Sequence, residues 1–99
     1  MTATKTQTLQ EEDVDVLTEN ASNYNLVVWN DEVNSFDWVI ETLMTICGHT
    51  AEQAEQCAMI IHFNGKYAVK QGSFDALQPL KEAIVERGIN ATIELNVSQ

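Results

Sequence analysis

The segment VVWNDEVNSFDW, residues 27–38, sets Asn30, Asp31 and Glu32 directly behind an apolar run that reads as a buried strand. Three acceptor-bearing side chains where a strand hands over to a helix can move a proton, help to hold a metal, or bind a cation. For proton transfer, Asp31 or Glu32 can be drawn with His62 as an acid and a base. No Ser or Cys is paired with an orienting base by any readable spacing, however, and no Gly-rich phosphate loop occurs. For a metal, Cys47, His49, Cys57 and His62 are all zinc-type ligands within sixteen positions. Cys57 and His62 are five apart, about 140° around a helix, and do not readily converge on one ion. The two cysteines stand ten positions apart without a CxxC spacing. In a reducing compartment each reads as a small buried hydrophobe rather than half of a bridge. No catalytic set, metal or cofactor is indicated by these residues.

His62 has a distinctive setting of its own. Ala54, Ala58, Ile61 and His62 fall at i, i+4, i+7 and i+8, giving a helical stripe that is apolar and small with an imidazole near its C-terminal end. The ordinary state of a single histidine there is partly buried and hydrogen-bonded to a carbonyl. The small residues at 54 and 58 open space beside it.

The elements that must position these groups follow from periodicity and end signals. YNLVVW, residues 24–29, is β-branched and aromatic and too short for a helix, so it reads as a strand. In NSFDWVIETLMTICG the apolar residues Phe36, Val39, Ile40, Leu43, Met44, Ile46 and Cys47 recur at helical spacing. Asn34 or Ser35 can cap its start and Gly48 its end. Thr50 and Gln53 form a capping-box sequence that starts a second helix, running to about Phe63. Asn64-Gly65 turns the chain into the strand KYAVKQG, closed by Gly72-Ser73. The reading at SFDAL is a turn, followed by a short helix with Pro79 as its first residue through Arg87, stopped by Gly88. NATIELNV is the last strand. The order β-α-α-β-α-β predicts an α+β fold, a three-stranded antiparallel sheet with three helices on one face.

Composition bounds the partners. The chain has 99 residues, 44% of them hydrophobic, enough for one small core. Fifteen acidic against five basic side chains give a net charge of −10, which repels nucleic acid and anionic membrane alike. No secretory leader pattern and no run of eighteen apolar residues is present, so a cytoplasmic location is expected. Residues 1–22 carry one lysine against five acids and few large apolar groups. They read as a disordered acidic extension ahead of a core domain at 23–99, although a helix over residues 9–17 is compatible with Leu9, Val14, Val16 and Leu17.

WND followed by a helix, then AMIIHFNGK, resembles the ClpS adaptor family, whose usual pattern is a strand ending in NDD, a helix, and a second helix ending in an apolar run before His, an aromatic and a GK turn. The two segments keep the family spacing from Asn30 to Lys66 without a gap, and the likeness covers residues 24–95. It implies a non-enzymatic adaptor that captures N-degrons, proteins exposing a bulky apolar first residue (Leu, Phe, Tyr or Trp). Such an adaptor passes them to a ClpA- or ClpC-type AAA+ ATPase and the ClpP peptidase. A free α-amino group is a cation at neutral pH, with a pKa of about 7.7 to 8.0, and needs fixed acceptors. By the resemblance, Asn30 and His62 hold the amine and the first peptide groups while Asp31 and Glu32 add charge at the rim. Asn34 matches a family position that also hydrogen-bonds near the rim, and it is equally suited to helix capping. The first side chain would drop between the helices against Phe36, Val39, Ala58 and Ile61. Lys81 falls in the region with which the family docks on the N-terminal domain of the ATPase, in a third helix about two turns shorter than in longer relatives.

This sequence departs from the family at four positions. Glu32 stands for a second Asp, Ser35 for a common Pro, Phe36 for a frequent Met, and Ala58 for a Met that gates the pocket. From the residues alone, a small acidic protein–protein interaction domain unrelated to proteolysis, or a small enzyme using Asp31 and His62, remain the alternatives.

Overall fold

A computed structural model describes residues 23–96. The extension at 1–22 and the helix considered at 9–17 lie outside the described residues. In chain order the elements are β1 Tyr24–Trp29, α1 Phe36–Cys47, α2 Ala51–Asn64, β2 Lys66–Gly72, α3 Phe74–Glu86 and β3 Ala91–Leu95. β1 is the central strand of the order β2-β1-β3, antiparallel to both neighbours. Because it is central, three consecutive residues, Leu26, Val27 and Val28, are all buried. Leu26 and Val28 join a cluster with Leu43 of α1, Ala54 and Ile61 of α2, and Leu77 and Ile84 of α3. The expected α+β sandwich, with the helices over one face of the sheet, is what the chain forms.

Local chemistry sets the helix ends. Ser35, not Asn34, caps α1, its hydroxyl accepting from the amide of Trp38 at 3.0 Å. α1 stops at Gly48, whose φ of 76° is the left-handed conformation that a residue without Cβ adopts freely. The Thr50–Gln53 capping box is formed in both directions, at 3.1 Å and 3.0 Å. β2 pairs Lys70 with Leu26 but Ala68 with Val27. Val69 is thereby the extra residue of a bulge, and its side chain is buried in the core cluster.

The third helix departs from expectation. The turn expected at SFDAL is helical, and α3 begins at Phe74, with Pro79 inside it and Ser73 as its cap. The Ser73 hydroxyl accepts from the Ala76 amide at 3.1 Å. Phe74 packs edge-on against Tyr24 with ring centroids 5.6 Å apart, and Leu77 is buried. An interior proline costs about 3 kcal/mol by removing one hydrogen bond and crowding the carbonyl four residues back. A cap contributes about 1 kcal/mol and a fully buried Leu about 1.5 to 3 kcal/mol, so together they offset the proline. The helix is 13 residues long, more than a turn longer than its proline suggested.

Candidate functional site

The loop between β1 and α1 is shaped by a set of side-chain hydrogen bonds. The Asn30 amide donates to the Gly65 carbonyl at 2.8 Å, tying the end of β1 to the end of α2. One carboxylate oxygen of Asp31, Oδ1, accepts from the amides of Val33 at 2.9 Å and Asn34 at 2.8 Å. The other, Oδ2, accepts from the Asn34 side-chain amide at 2.8 Å. These bonds hold Asp31 below its ordinary carboxyl pKa of 3.8, the Asn34 backbone amide contributing most; partial burial opposes the shift, and the Asn34 side chain and the Val33 amide add to it. Asp31 is therefore an anion with three bonds already made, and roughly one of its four lone-pair sites remains.

Asn34 extends the lock to the third helix. Its Nδ2 also donates to the Gly88 carbonyl at 2.9 Å. Trp38 of α1 makes a parallel tie, its indole N–H donating to the Arg87 carbonyl at 3.1 Å, and the Arg87 guanidinium lies over the Trp38 ring at 5.1 Å. Sequence reasoning found Asn34 as a capping or rim residue and Gly88 as a helix stop. It missed that the two are partners and that Trp38 and Arg87 reinforce them. Their only sequence signal was the glycine, whose φ of 87° turns the chain past α3.

Between this loop, α1 and α2 lies a cavity of about 490 Å³ lined by Asn30, Asp31, Glu32, Asn34, Phe36, Val39, Ala58, Ile61 and His62. The nine residues that the family resemblance singled out thus share one cavity. Ile61 and Ala58 are buried at its floor, Ala58 only 2% exposed, with half-buried Val39 beside them. Phe36 is a partly exposed wall, while Asn30, Glu32 and His62 are exposed at the mouth. Ala54, one turn before Ala58, packs in the core instead of the cavity. His62 is not the buried, carbonyl-bonded histidine that a single imidazole on an apolar stripe suggests. Its ring meets Phe63 edge-on at 5.0 Å. His49 fills that structural role, its Nε2–H donating to the Val69 carbonyl at 3.0 Å.

The other flagged groups lie elsewhere. Cys47, His49 and Cys57 border a separate hollow of about 390 Å³ between α2 and β2, so His62 is not with them. Among the described residues no three His, Cys, Asp or Glu side chains are placed to hold a metal. Both cysteines are buried free thiols. Burial is the main cause that pushes the Cys47 thiol up to about 11, and burial raises Cys57 as well. Lys81 is half-buried on α3 at a shallower hollow of about 290 Å³ with Phe74, Gln78, Thr92 and Ile93, away from the cavity.

An apolar floor beneath a mouth of carboxylates, an amide and an imidazole suits a small cation attached to an apolar group. It lacks the paired nucleophile and base of a catalytic site. The fold and cavity together define a small α+β binding domain, and comparison with known proteins specifies which. The family described as ATP-dependent Clp protease adaptor protein ClpS matches residues 19–97. A ClpS adapter of Corynebacterium diphtheriae is 30% identical over 86 residues, covering 83% of this chain and 76% of its own. That of Corynebacterium aurimucosum is 29% identical over 82 residues, covering 83% and 74%. The structure of Agrobacterium tumefaciens ClpS2, solved with L-phenylalaninamide bound, superimposes with a TM-score of 0.69 at 19% identity, over 78% of this chain and 98% of that one. The chain belongs to the ClpS family of Clp protease adaptors: it is a non-catalytic protein that delivers N-degron substrates to the Clp protease. Among the described residues no helix is long and apolar enough to cross a membrane.

Proposed function

We propose that the cavity between α1 and α2 receives the first residue of an N-degron, its ammonium at the mouth and its side chain, Leu, Phe, Tyr or Trp, on the floor. The observation that carries this reading is the direct stacking of acceptors over apolar surface in one 490 Å³ space. A pocket of this size is of the usual order for a single bulky group. In this reading Asn30 and His62 hold the amine and the first peptide group. Asp31, with most of its acceptor capacity spent on the loop, acts by charge and through water, and Glu32 adds a second negative charge. Asn34 orients Asp31, while Phe36, Val39, Ala58 and Ile61 enclose the side chain. The ligand of the Agrobacterium protein, a free amine beside a benzyl side chain, has the chemistry that this arrangement would select.

The adaptor acts in the cytoplasm on a ClpA- or ClpC-type ATPase coupled to ClpP. Lys81, which borders a hollow separate from the cavity, belongs to the surface that docks on the N-terminal domain of that ATPase, and residues 1–22 form the extension used in handing over substrate. Fluorescence anisotropy with a Leu-starting peptide tests the cavity assignment. The free-amine peptide is expected to bind and its N-acetylated form to fail, with affinity falling above about pH 8 as the amine loses its proton. Equal binding of the free and acetylated forms would sink the assignment.

A further inference from the structure

The turn that ends α3 is fixed by the core. Arg87 and Gly88 donate their amides to the Ile84 and Val85 carbonyls at 3.0 Å and 2.9 Å, and buried Ile84 and Ile89 stand on either side of the turn. From this base it grips α1. The Arg87 carbonyl accepts from the Trp38 indole, while the Arg87 guanidinium lies over the Trp38 ring and donates to the hydroxyl of buried Thr42 at 3.4 Å. In a chain with five basic side chains against fifteen acids, this cation rests on a ring and a hydroxyl. Its planar face thus serves to hold a helix in place. The next carbonyl, that of Gly88, holds the loop ahead of α1 through Asn34. The Asn34 amide has two hydrogens, one given to Gly88 and the other to Asp31 Oδ2. Turning that amide over would set its oxygen against both acceptors.

We propose that Arg87, clamped on Trp38 and Thr42 beside the Gly88 carbonyl, is a positioning residue for amine capture: it holds the first turn of α1 where Asn34 can fix the Asp31 carboxylate at the cavity mouth. This rests on the cavity assignment made above and deepens it. Residues 30–35 form neither helix nor strand, so the Asp31 carboxylate takes its place from side-chain bonds and from what those bonds are attached to. The attachment is the core-anchored end of α3. A carboxylate fixed before the ligand arrives attracts an ammonium without an ordering cost, whereas one that must be ordered on binding gives part of that attraction back. Arg87 touches no lining residue of the cavity among its bonded partners, and acts through Trp38 and Asn34.

The test measures binding of a Leu-starting peptide, free and N-acetylated, to the full chain and to Arg87→Ala and Trp38→Phe, each also combined with Asp31→Asn. Arg87→Ala removes the clamp, and Trp38→Phe keeps a ring but loses the indole N–H. Each should weaken capture of the free-amine peptide about two- to tenfold, the range of one neutral hydrogen bond. With Asp31→Asn in place no carboxylate is left to position, and neither should weaken capture further. Carbon-13 NMR should show the Asp31 carboxyl titrating at a higher pH in both variants than in the native protein, because its bond to the Asn34 side chain is loosened. That titration needs no peptide and decides the case if Asp31→Asn binds too weakly to measure. Leu77→Val, a destabilising change in the buried face of the same helix, should move neither affinity nor titration. Native affinity in both variants, an equal loss with and without the Asp31 carboxylate, an unmoved titration, or the same loss in Leu77→Val overturns the positioning role. The cavity assignment survives any of these results while acetylation still abolishes binding to the native protein. Equal binding of free and acetylated peptide to the native protein overturns both.

Discussion

At the scale of single residues, Asp31 illustrates how one carboxylate can serve shape and charge together. Three hydrogen bonds consume most of its acceptors. Asp31→Ala should therefore lower stability by about 1 to 3 kcal/mol, in addition to weakening peptide capture. The pH dependence has a fixed sign. Because folding depresses its pKa, Asp31 contributes stability above its ordinary value of 3.8 and loses it as pH falls through the lower folded value. Urea unfolding at pH 7 and pH 3 should show a wild-type advantage over Asp31→Ala at the higher pH that shrinks at the lower. An advantage independent of pH would assign the effect to packing. His62→Ala is exposed and should cost affinity alone, by about 1 to 3 kcal/mol if its bond to the ligand is charge-assisted, with the unfolding midpoint unmoved. At the floor, Ala58 leaves room that a Met would fill, so Ile-starting peptides should bind the native protein measurably and Ala58→Met less well. An extra methylene in an apolar pocket is worth about 1 to 3 kcal/mol, and Phe36 could partly refill the space. Equal rejection of Ile by both proteins would show that position 58 does not set the gate.

Elements with strong end signals were legible in the sequence, and those with conflicting signals were not. The capping box at Thr50 and Gln53 and the glycines after α1 and α2 each act locally, so their sequence fixes the geometry almost regardless of context. α3 was misread because its two local signals disagree: Pro79 favours a first turn, and Ser73 favours a cap six residues earlier. Burial of Leu77 and the Phe74–Tyr24 contact decide between them, and these depend on β1, which is fifty residues away in the chain. Removing the losing signal should therefore stabilise the fold. Pro79→Ala is expected to add about 1 to 2 kcal/mol and raise the Tm, with peptide affinity unchanged, because the missing hydrogen bond returns to an already formed helix. A lower Tm would show that proline's stiffening of the unfolded chain outweighs the lost bond. In the site, the apolar stripe with Ala58, Ile61 and His62 could be seen from spacing. The Asn34–Gly88 and Trp38–Arg87 ties could not, since carbonyl partners leave no trace in side-chain identity.

For the whole molecule, a charge of −10 concentrates cationic chain ends near the mouth and keeps adaptor molecules apart at low salt. Residues 1–22 supply −4 of that charge, one lysine against five acids. Deleting them should leave peptide affinity nearly unchanged while impairing degradation of a Leu-starting reporter by the cognate protease. Full degradation by the truncated protein would show that the extension has no part in delivery. The bulge at Val69 has a consequence of another kind. An adaptor that handles loosened polypeptides repeatedly meets extended segments able to lengthen any open sheet. Along β2 such a newcomer would find a ladder broken at Val69 and lysines at 66 and 70, where dehydration of the ammonium groups opposes pairing. Along that edge the domain can carry sticky cargo by its chain end without becoming the template on which that cargo aggregates.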